Sequence, residues 1–267
     1  DGEVLRDVGE PVVADEDVTF EGAVFESEAD YKLAHFRFAD FKDATFKGQV
    51  NFDRATFTAR ADCHRVQIAD ELDLACATFE DEVDFTESSF GDDVIAVETA
   101  FQGDATFDEV TFTARARFDE ARFNEDASFS AATFHGLAEF RGAVFEGETR
   151  HLEENASFKE AVFRKDAEFE AANFTNVSFW DATFHGRCDF RHAIIHESAQ
   201  FRLLDGERDT YVDFTDATIN GGTISQVGGD AIPYDLTRAT IGDIQLEGQG
   251  NEHELLDHFR FCLTEFD

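Results

Sequence analysis

Residues 101–145 read FQGDATFDEVTFTARARFDEARFNEDASFSAATFHGLAEFRGAVF. Phe recurs at 101, 107, 112, 118, 123, 129, 134, 140 and 145, so steps of six and five alternate. Two residues before each Phe from 107 onward stands a small apolar residue: Ala105, Val110, Ala116, Ala121, Ala127, Ala132, Ala138 or Ala143. Between the two lies a mostly polar one: Thr106, Thr111, Arg117, Arg122, Ser128, Thr133, Glu139. In an extended segment, positions i−2 and i share a face and the residue between them points the other way. The pattern therefore reads as small residue and Phe inward, polar residue outward. A helix does not accommodate it, because steps of five and six scatter the Phe residues around a 3.6-residue turn. A flat antiparallel sheet does not either. It would want strands of about five or six residues with turn signals between them, and each apolar unit here spans three residues.

A coil with four short sides accommodates all of this. Each unit makes a side, the intervening residues make a corner, and the same side returns after about 22 residues. One inward column is then Phe41, Cys63, Phe85, Phe107 and Phe129. A second is Phe46, Ile68, Phe90, Phe112 and Phe134, and a third is Phe57, Phe79, Phe101, Phe123 and Phe145. Adjacent coils should lie about 4.8 Å apart, the interstrand distance.

Stretches such as FKDATFKGQVNFDRATF (Phe41 to Phe57) and FDEARFNEDASFSAATF (Phe118 to Phe134) resemble the pentapeptide-repeat family, in its Phe-rich form with six-residue corners. The resemblance spans roughly residues 20 to 246 and implies a right-handed quadrilateral β-helix. Best-known members use Leu centres and five-residue units throughout. Phe centres with alternating spacing should widen this rod and alter its corners.

Residues 1–19, with Pro11, carry no repeat and are expected to form a polar cap over the first coil. Interruptions are expected at Gly147–Leu152, at Leu203–Tyr211 and at Gly228–Pro233. The last units centre on Leu236, Ile241 and Leu246, where aliphatic residues replace Phe. Residues 247–267 change period. Leu255, Leu256, Phe259, Leu263 and Phe266 fit a helical stripe after a plausible N-cap at Asn251. This predicts a C-terminal amphipathic α-helix over residues 252–266, covering the last coil around Leu246. Its abrupt stop at Asp267 leaves room for a continuing chain.

The composition narrows the function. Asp plus Glu number 59 against 22 Lys plus Arg, a net charge of −37, and this excludes direct phosphate-backbone binding for want of a basic patch. Acid of this density with only five lysines (Lys32, Lys42, Lys47, Lys159, Lys165) suits a salt-rich cytoplasm. Mimicry of a nucleic-acid backbone is the competing reading, and regular Phe spacing argues against a disordered acidic chain. Under the salt-adaptation reading, carboxylates should cover all four sides and the corners without preference. Cys63, Cys76, Cys188 and Cys262 lack CxxC spacing and suggest a reducing compartment. No apolar run approaches a membrane span, and no signal peptide is visible. The absence of any Met suggests a trimmed N-terminus.

No catalytic, cofactor or metal site is expected. His185, Cys188, His192 and His196 form the densest ligand-like cluster, but the repeat frame turns Cys188 inward and sets His185 and His196 half a coil apart. Zinc ligands must converge at about 2 Å. Cys63 reads as a small core residue at a Phe position. Cys76 falls at a corner with no neighbouring base. Pairs such as Asp92–Asp93 carry no signal where acids are this abundant. Thr45, Thr56, Thr78, Thr106, Thr133 and Thr183 point outward on several sides, without the single-sided grid of an ice-binding surface.

The reading that results is a non-enzymatic scaffold, a rigid acidic rod presenting side faces to an unknown protein partner. A homodimer through the C-terminal end is a further expectation. The resemblance implies two alternatives. One is a mimic of duplex DNA that binds a type II topoisomerase. The other is the N-terminal cytoplasmic part of a longer halophilic protein with a C-terminal ion-channel module, which would tether the rod to a membrane.

Overall fold

The computed structural model describes residues 13–14, 17–147, 155–204, 210–226, 232–248 and 256–266. They form a parallel β-solenoid of about 10 turns with about 22 residues per coil. Most strands are two residues long, as a three-residue apolar unit with a corner on either side requires. We number the faces in chain order within a coil. Face one carries Ala105–Thr106, face two Thr111–Phe112, face three Ala116–Arg117 and face four Arg122–Phe123. The register repeats without slippage through the central coils: Ala39, Ala61, Val83, Ala105 and Ala127 pair in succession on face one. Face two is an 8-stranded sheet and face three an 11-stranded one.

The three expected inward columns are present. Phe107, Phe112, Phe118 and Phe123 form one coil and are at most 1% exposed. Along a column the rings lie nearly parallel. Phe79, Phe101, Phe123 and Phe145 stack with centroids 5.3, 4.7 and 4.6 Å apart. Across the interior, rings from faces one and three meet edge-on, as Phe107 and Phe118 do at 5.4 Å and 81°. Stacking along the axis and edge-to-face contact across it are both favoured ring geometries. The Ala at i−2 gives each ring its room, because a larger side chain would occupy the same inward face.

The corners alternate. After faces one and three only two residues intervene, and the second adopts a left-handed φ: 57° at Asp43, 55° at Arg54, 54° at Cys76, 58° at Glu109 and at Glu120. The following N–H closes the turn, as Ala44 N donates to the Phe41 carbonyl at 2.9 Å. A turn of this kind needs a positive φ at its third position. After faces two and four, three residues intervene in most coils and the backbone avoids that region.

From Asn173 onward the corner between faces four and one opens out. Strands Asn173–Trp180, Ile194–Leu203, Thr218–Gln226 and Thr240–Gly248 run through it as one continuous side. Their pairing shifts register between Phe174 and Asn176 and between Ile195 and Ala199. Gly222 makes the close approach possible. Its φ is 128°, and a Cβ there would lie 1.9 Å from the Ala199 carbonyl oxygen.

The C-terminal helix expected over residues 252–266 is not formed by the described residues. Phe259–Arg260 pairs with Tyr234–Asp235, and Glu265–Phe266 pairs with Thr240–Ile241, so this segment begins another coil. Phe259 is buried, but Leu256 and Leu263 are exposed, and Leu255 and Asn251 lie outside the described residues. The physical reason is local. Phe261 and Phe266 keep the five-residue step of the repeat, and Leu263 takes the left-handed φ (55°) that Arg238 and Asp216 take in the preceding coils. At the other end, Val13–Ala14 and Val18–Thr19 already pair with the next coil, and Pro11 lies outside the described residues. The three expected interruptions also fall largely outside them. The strands on either side keep their partners, for example Phe145 with Phe174 and Asp189 with Asp213.

Candidate functional site

The outward residues of each face stack into a column with the rise of one coil, about 4.8 Å. These columns are the surface that the sides of the rod present. They differ sharply from face to face, and the corners explain why.

On faces one and three the outward residue precedes a tight two-residue corner. There it is repeatedly Asp or Asn, and its side chain accepts the backbone N–H two residues on. Asp40 caps Lys42 at 3.0 Å, Asn51 caps Asp53 at 2.9 Å, Asp62 caps His64 at 3.1 Å and Asp84 caps Thr86 at 2.9 Å. Asp73, Asp189, Asp213 and Asp235 do the same. Short polar side chains stabilise turns in this way. Faces two and four lead mostly into three-residue corners that need no such cap. Face two carries Thr45, Gln67, Ser89, Thr111, Thr133, Val162 and Thr183, with no ionisable residue. Face four carries Thr56, Thr78, Ala100, Arg122 and Val144 in its central coils.

Acids at the corners occur on every edge: Asp108 and Glu109, Asp92 and Asp93, Asp119 and Glu120, Glu125 and Asp126. On the flat faces, by contrast, they concentrate on one and three. Carboxylates are thus shared among the corners but not evenly among the sides.

Face three adds a second chemistry. Its lower coils stack Glu139, Glu168, Asp189, Asp213 and Asp235 directly over one another. Like charges at that spacing repel, and arginines are threaded between them. Glu139 is contacted by Arg115 at 3.3 Å, by Arg117 at 3.8 Å and closely by Arg141, which also reaches Glu168 at 2.5 Å. Arg187 bridges Asp189 at 3.1 Å and Asp213 at 2.7 Å, and Arg191 grips Asp189 and Glu170. Burial pushes the Glu168 carboxyl above its ordinary value, Arg141 pulls it back, and the stacked Glu139 and Asp189 push it up again. Burial also works against ionised Asp213, but hydrogen bonds from Thr215 and Arg187 carry its carboxyl below the ordinary value.

The candidate metal cluster is not brought together. His185 lies at the corner between faces two and three. Cys188 is inward and fully buried, His192 is the left-handed residue of the corner after face three, and His196 stands on the Ile194–Leu203 strand. Among the described residues, no group of three or more His, Cys, Asp and Glu could hold a metal ion. Cys63 fills a Phe position in the core, and burial pushes its thiol and that of Cys188 well up. Cys76 is an exposed corner residue. The outward Thr residues divide among faces: Thr45, Thr133 and Thr183 on two, Thr56 and Thr78 on four, Thr106 on one. No helix among the described residues is long and apolar enough to cross a membrane.

Two features of the surface escaped sequence reasoning. The segregation of charged and uncharged columns follows from corner length, and the signal was present in the Asp-x-x-x spacing after Ala or Val. The apolar pocket lined by Ile244, Leu246 and Phe261 was expected to lie beneath a helix over residues 252–266.

No curated protein matches the sequence. The family profile described as Pentapeptide repeats (9 copies) matches residues 20–67, 107–150 and 151–194, together just over half of the chain. With over half of the chain matched, the chain is a member of the pentapeptide-repeat family.

Proposed function

We propose that the protein is a non-enzymatic scaffold that binds a protein partner along a side face of the rod. Pentapeptide-repeat proteins are generally structural or interaction proteins. The observation that carries the proposal is the uncharged column of face two, set on a chain of net charge −37. The centres of protein interfaces are depleted of charged residues. A partner lying along Thr111, Thr133, Val162 and Thr183 would desolvate hydroxyls and methyls rather than carboxylates. Backbone mimicry is less well supported. The acids of faces one and three are engaged in capping corners or bridged by arginine. Their rise of about 4.8 Å also differs from the roughly 3.4 Å per phosphate of a DNA strand.

A photo-crosslinking side chain placed at Thr133, and separately at Glu170 on the far side, tests the reading in an extract of the source cells. The expected result is one adduct of defined mass from position 133, displaced by excess unlabelled chain and absent from position 170. Equal labelling from both positions, or none from 133, would remove the side-face assignment.

A further inference from the structure

The outward column of face two is balanced about its middle. It runs Val24, Thr45, Gln67, Ser89, Thr111, Thr133, Val162 and Thr183, one coil at each step. Leu204 continues it, because its N–H donates to the Ala182 carbonyl just as that of Thr183 donates to Ala161, both at 2.9 Å. Thr111 is the fifth of these nine levels. Four levels away on either side stand Val24 and Leu204, exposed apolar residues at 57% and 39%. The levels between them are uncharged.

The edge between faces two and three changes sign at the same level. Before Thr111 its corners are Ala69-Asp70-Glu71 and Gly91-Asp92-Asp93. After it they are His135-Gly136-Leu137 and Arg164-Lys165-Asp166, and Asp70, Asp92, His135, Arg164 and Lys165 are all exposed. Burial and the nearby Asp73, Asp93, Asp92 and Asp70 raise the Glu71 carboxyl, so the acidic half holds charge that its own coils leave uncompensated. A two-fold axis crossing the rod at Thr111 would lay a second copy antiparallel on face two and exchange these halves. Thr111 would meet its own counterpart, Ser89 would meet Thr133, Gln67 would meet Val162, and Val24 would meet Leu204. The same operation sets Asp70 and Glu71 opposite Arg164 and Lys165, and Asp92 and Asp93 opposite His135. A contact between identical surfaces requires this reciprocity, and an uncharged centre with a charged rim is the usual interface anatomy.

We propose that face two is the contact between two copies of this chain, packed antiparallel about an axis at Thr111. The proposal rests on the reading of face two as the contact side and names its occupant. Two chains of net charge −37 repel each other, and the exposed cations of this edge offset that repulsion where the copies touch. Glu109 works against the contact. It is an exposed residue of the corner before Thr111 and would oppose its own counterpart across the axis.

Sedimentation equilibrium of the full chain in about 1 M KCl, where the Debye length is about 3 Å, should show a monomer–dimer equilibrium. Arg164→Glu with Lys165→Glu, and separately Asp70→Lys with Glu71→Lys, should each raise the dimer dissociation constant at least about tenfold. Mixing the two variants should restore the parent value, because each supplies the charge that the other has lost. Glu109→Gln should tighten the dimer. Should a charge variant fail to fold, mild oxidation gives a second readout. Thr111→Cys should then form a disulfide-linked dimer above the parent's background. Gln67→Cys should not, since it would stand four coil rises, about 19 Å, from its own counterpart. A dimer unmoved by either reversal, or a mixture without rescue, would overturn the proposal. So would a parent chain that stays monomeric. If position 133 of that monomer still captures a different protein from the extract, the side-face reading stands without the second copy. If it captures none, both fall.

Discussion

At the scale of the residue, the rod assigns opposite costs to neighbours in sequence. Phe112 is wholly buried, stacked on Phe134 at 4.7 Å, and Thr111 beside it is on the outside. Phe112→Ala should cost about 3–5 kcal/mol by cavity formation, and Thr111→Ala less than about 0.5 kcal/mol. Denaturant unfolding of the two variants measures both, and comparable losses would contradict the inside–outside assignment. The capping role of Asp84 makes a subtler expectation. Asn51 performs the same task on face three, so Asp84→Asn should leave the thermal midpoint nearly unchanged. Asp84→Ala leaves the Thr86 N–H without its acceptor and should lose about 1 kcal/mol. If Asn and Ala variants behave alike, the carboxylates of faces one and three are not there as caps.

At the scale of the element, the sides of the coil were legible in the sequence and the corners much less so. Inward Phe and Ala repeat every five or six residues, and burial alone explains that spacing. A corner is defined by backbone conformation, and its left-handed position is occupied by Asp43, Arg54, Cys76, Glu87 and Ala131 alike. Residue type there carries little information, because no side chain is being packed. The C-terminal segment was misread for a related reason. Leu256, Phe259, Leu263 and Phe266 satisfy a helical period, but Phe261 and Phe266 also satisfy the step of the repeat, and a neighbouring coil was available to pair with them. Nor did a candidate site emerge from single residues, since the faces acquire their character only when the coils are stacked.

Corner stacking has an energetic consequence at Glu71. Its carboxyl is raised above the ordinary value by burial and by the nearby Asp73, Asp93, Asp92 and Asp70. The folded chain therefore holds that proton more tightly than the unfolded chain does. Stability from this group is fully present below the unfolded value and is lost as pH rises through the folded one. Glu71→Gln keeps an oxygen for the Gln49 amide, which lies 2.9 Å from the carboxylate. It should raise the thermal midpoint at pH 7 but not near pH 3, below the ordinary glutamate value of about 4.3. A gain of the same size at both pH values would assign the effect to something other than ionisation.

At the scale of the whole molecule, a net charge of −37 acts against compactness, and the arginines of face three relieve it only locally. Screening should relieve the rest. The Debye length falls from about 10 Å at 0.1 M salt to about 3 Å at 1 M. The thermal midpoint should accordingly climb steeply in KCl over that interval. A flat response would mean that the acids are already compensated within the fold.

The uniform register has a mechanical counterpart. Every ladder joins a residue to one about 22 positions later, and the interstrand bonds run along the axis of the rod. Tension applied between the two termini loads those bonds one row at a time, as in opening a zip, rather than all together in shear. The molecule should peel from an end at low force. Each coil released should lengthen the tether by roughly 70–80 Å, the span of about 22 extended residues, and the steps should be nearly equal until the longer sides below Asn173 are reached.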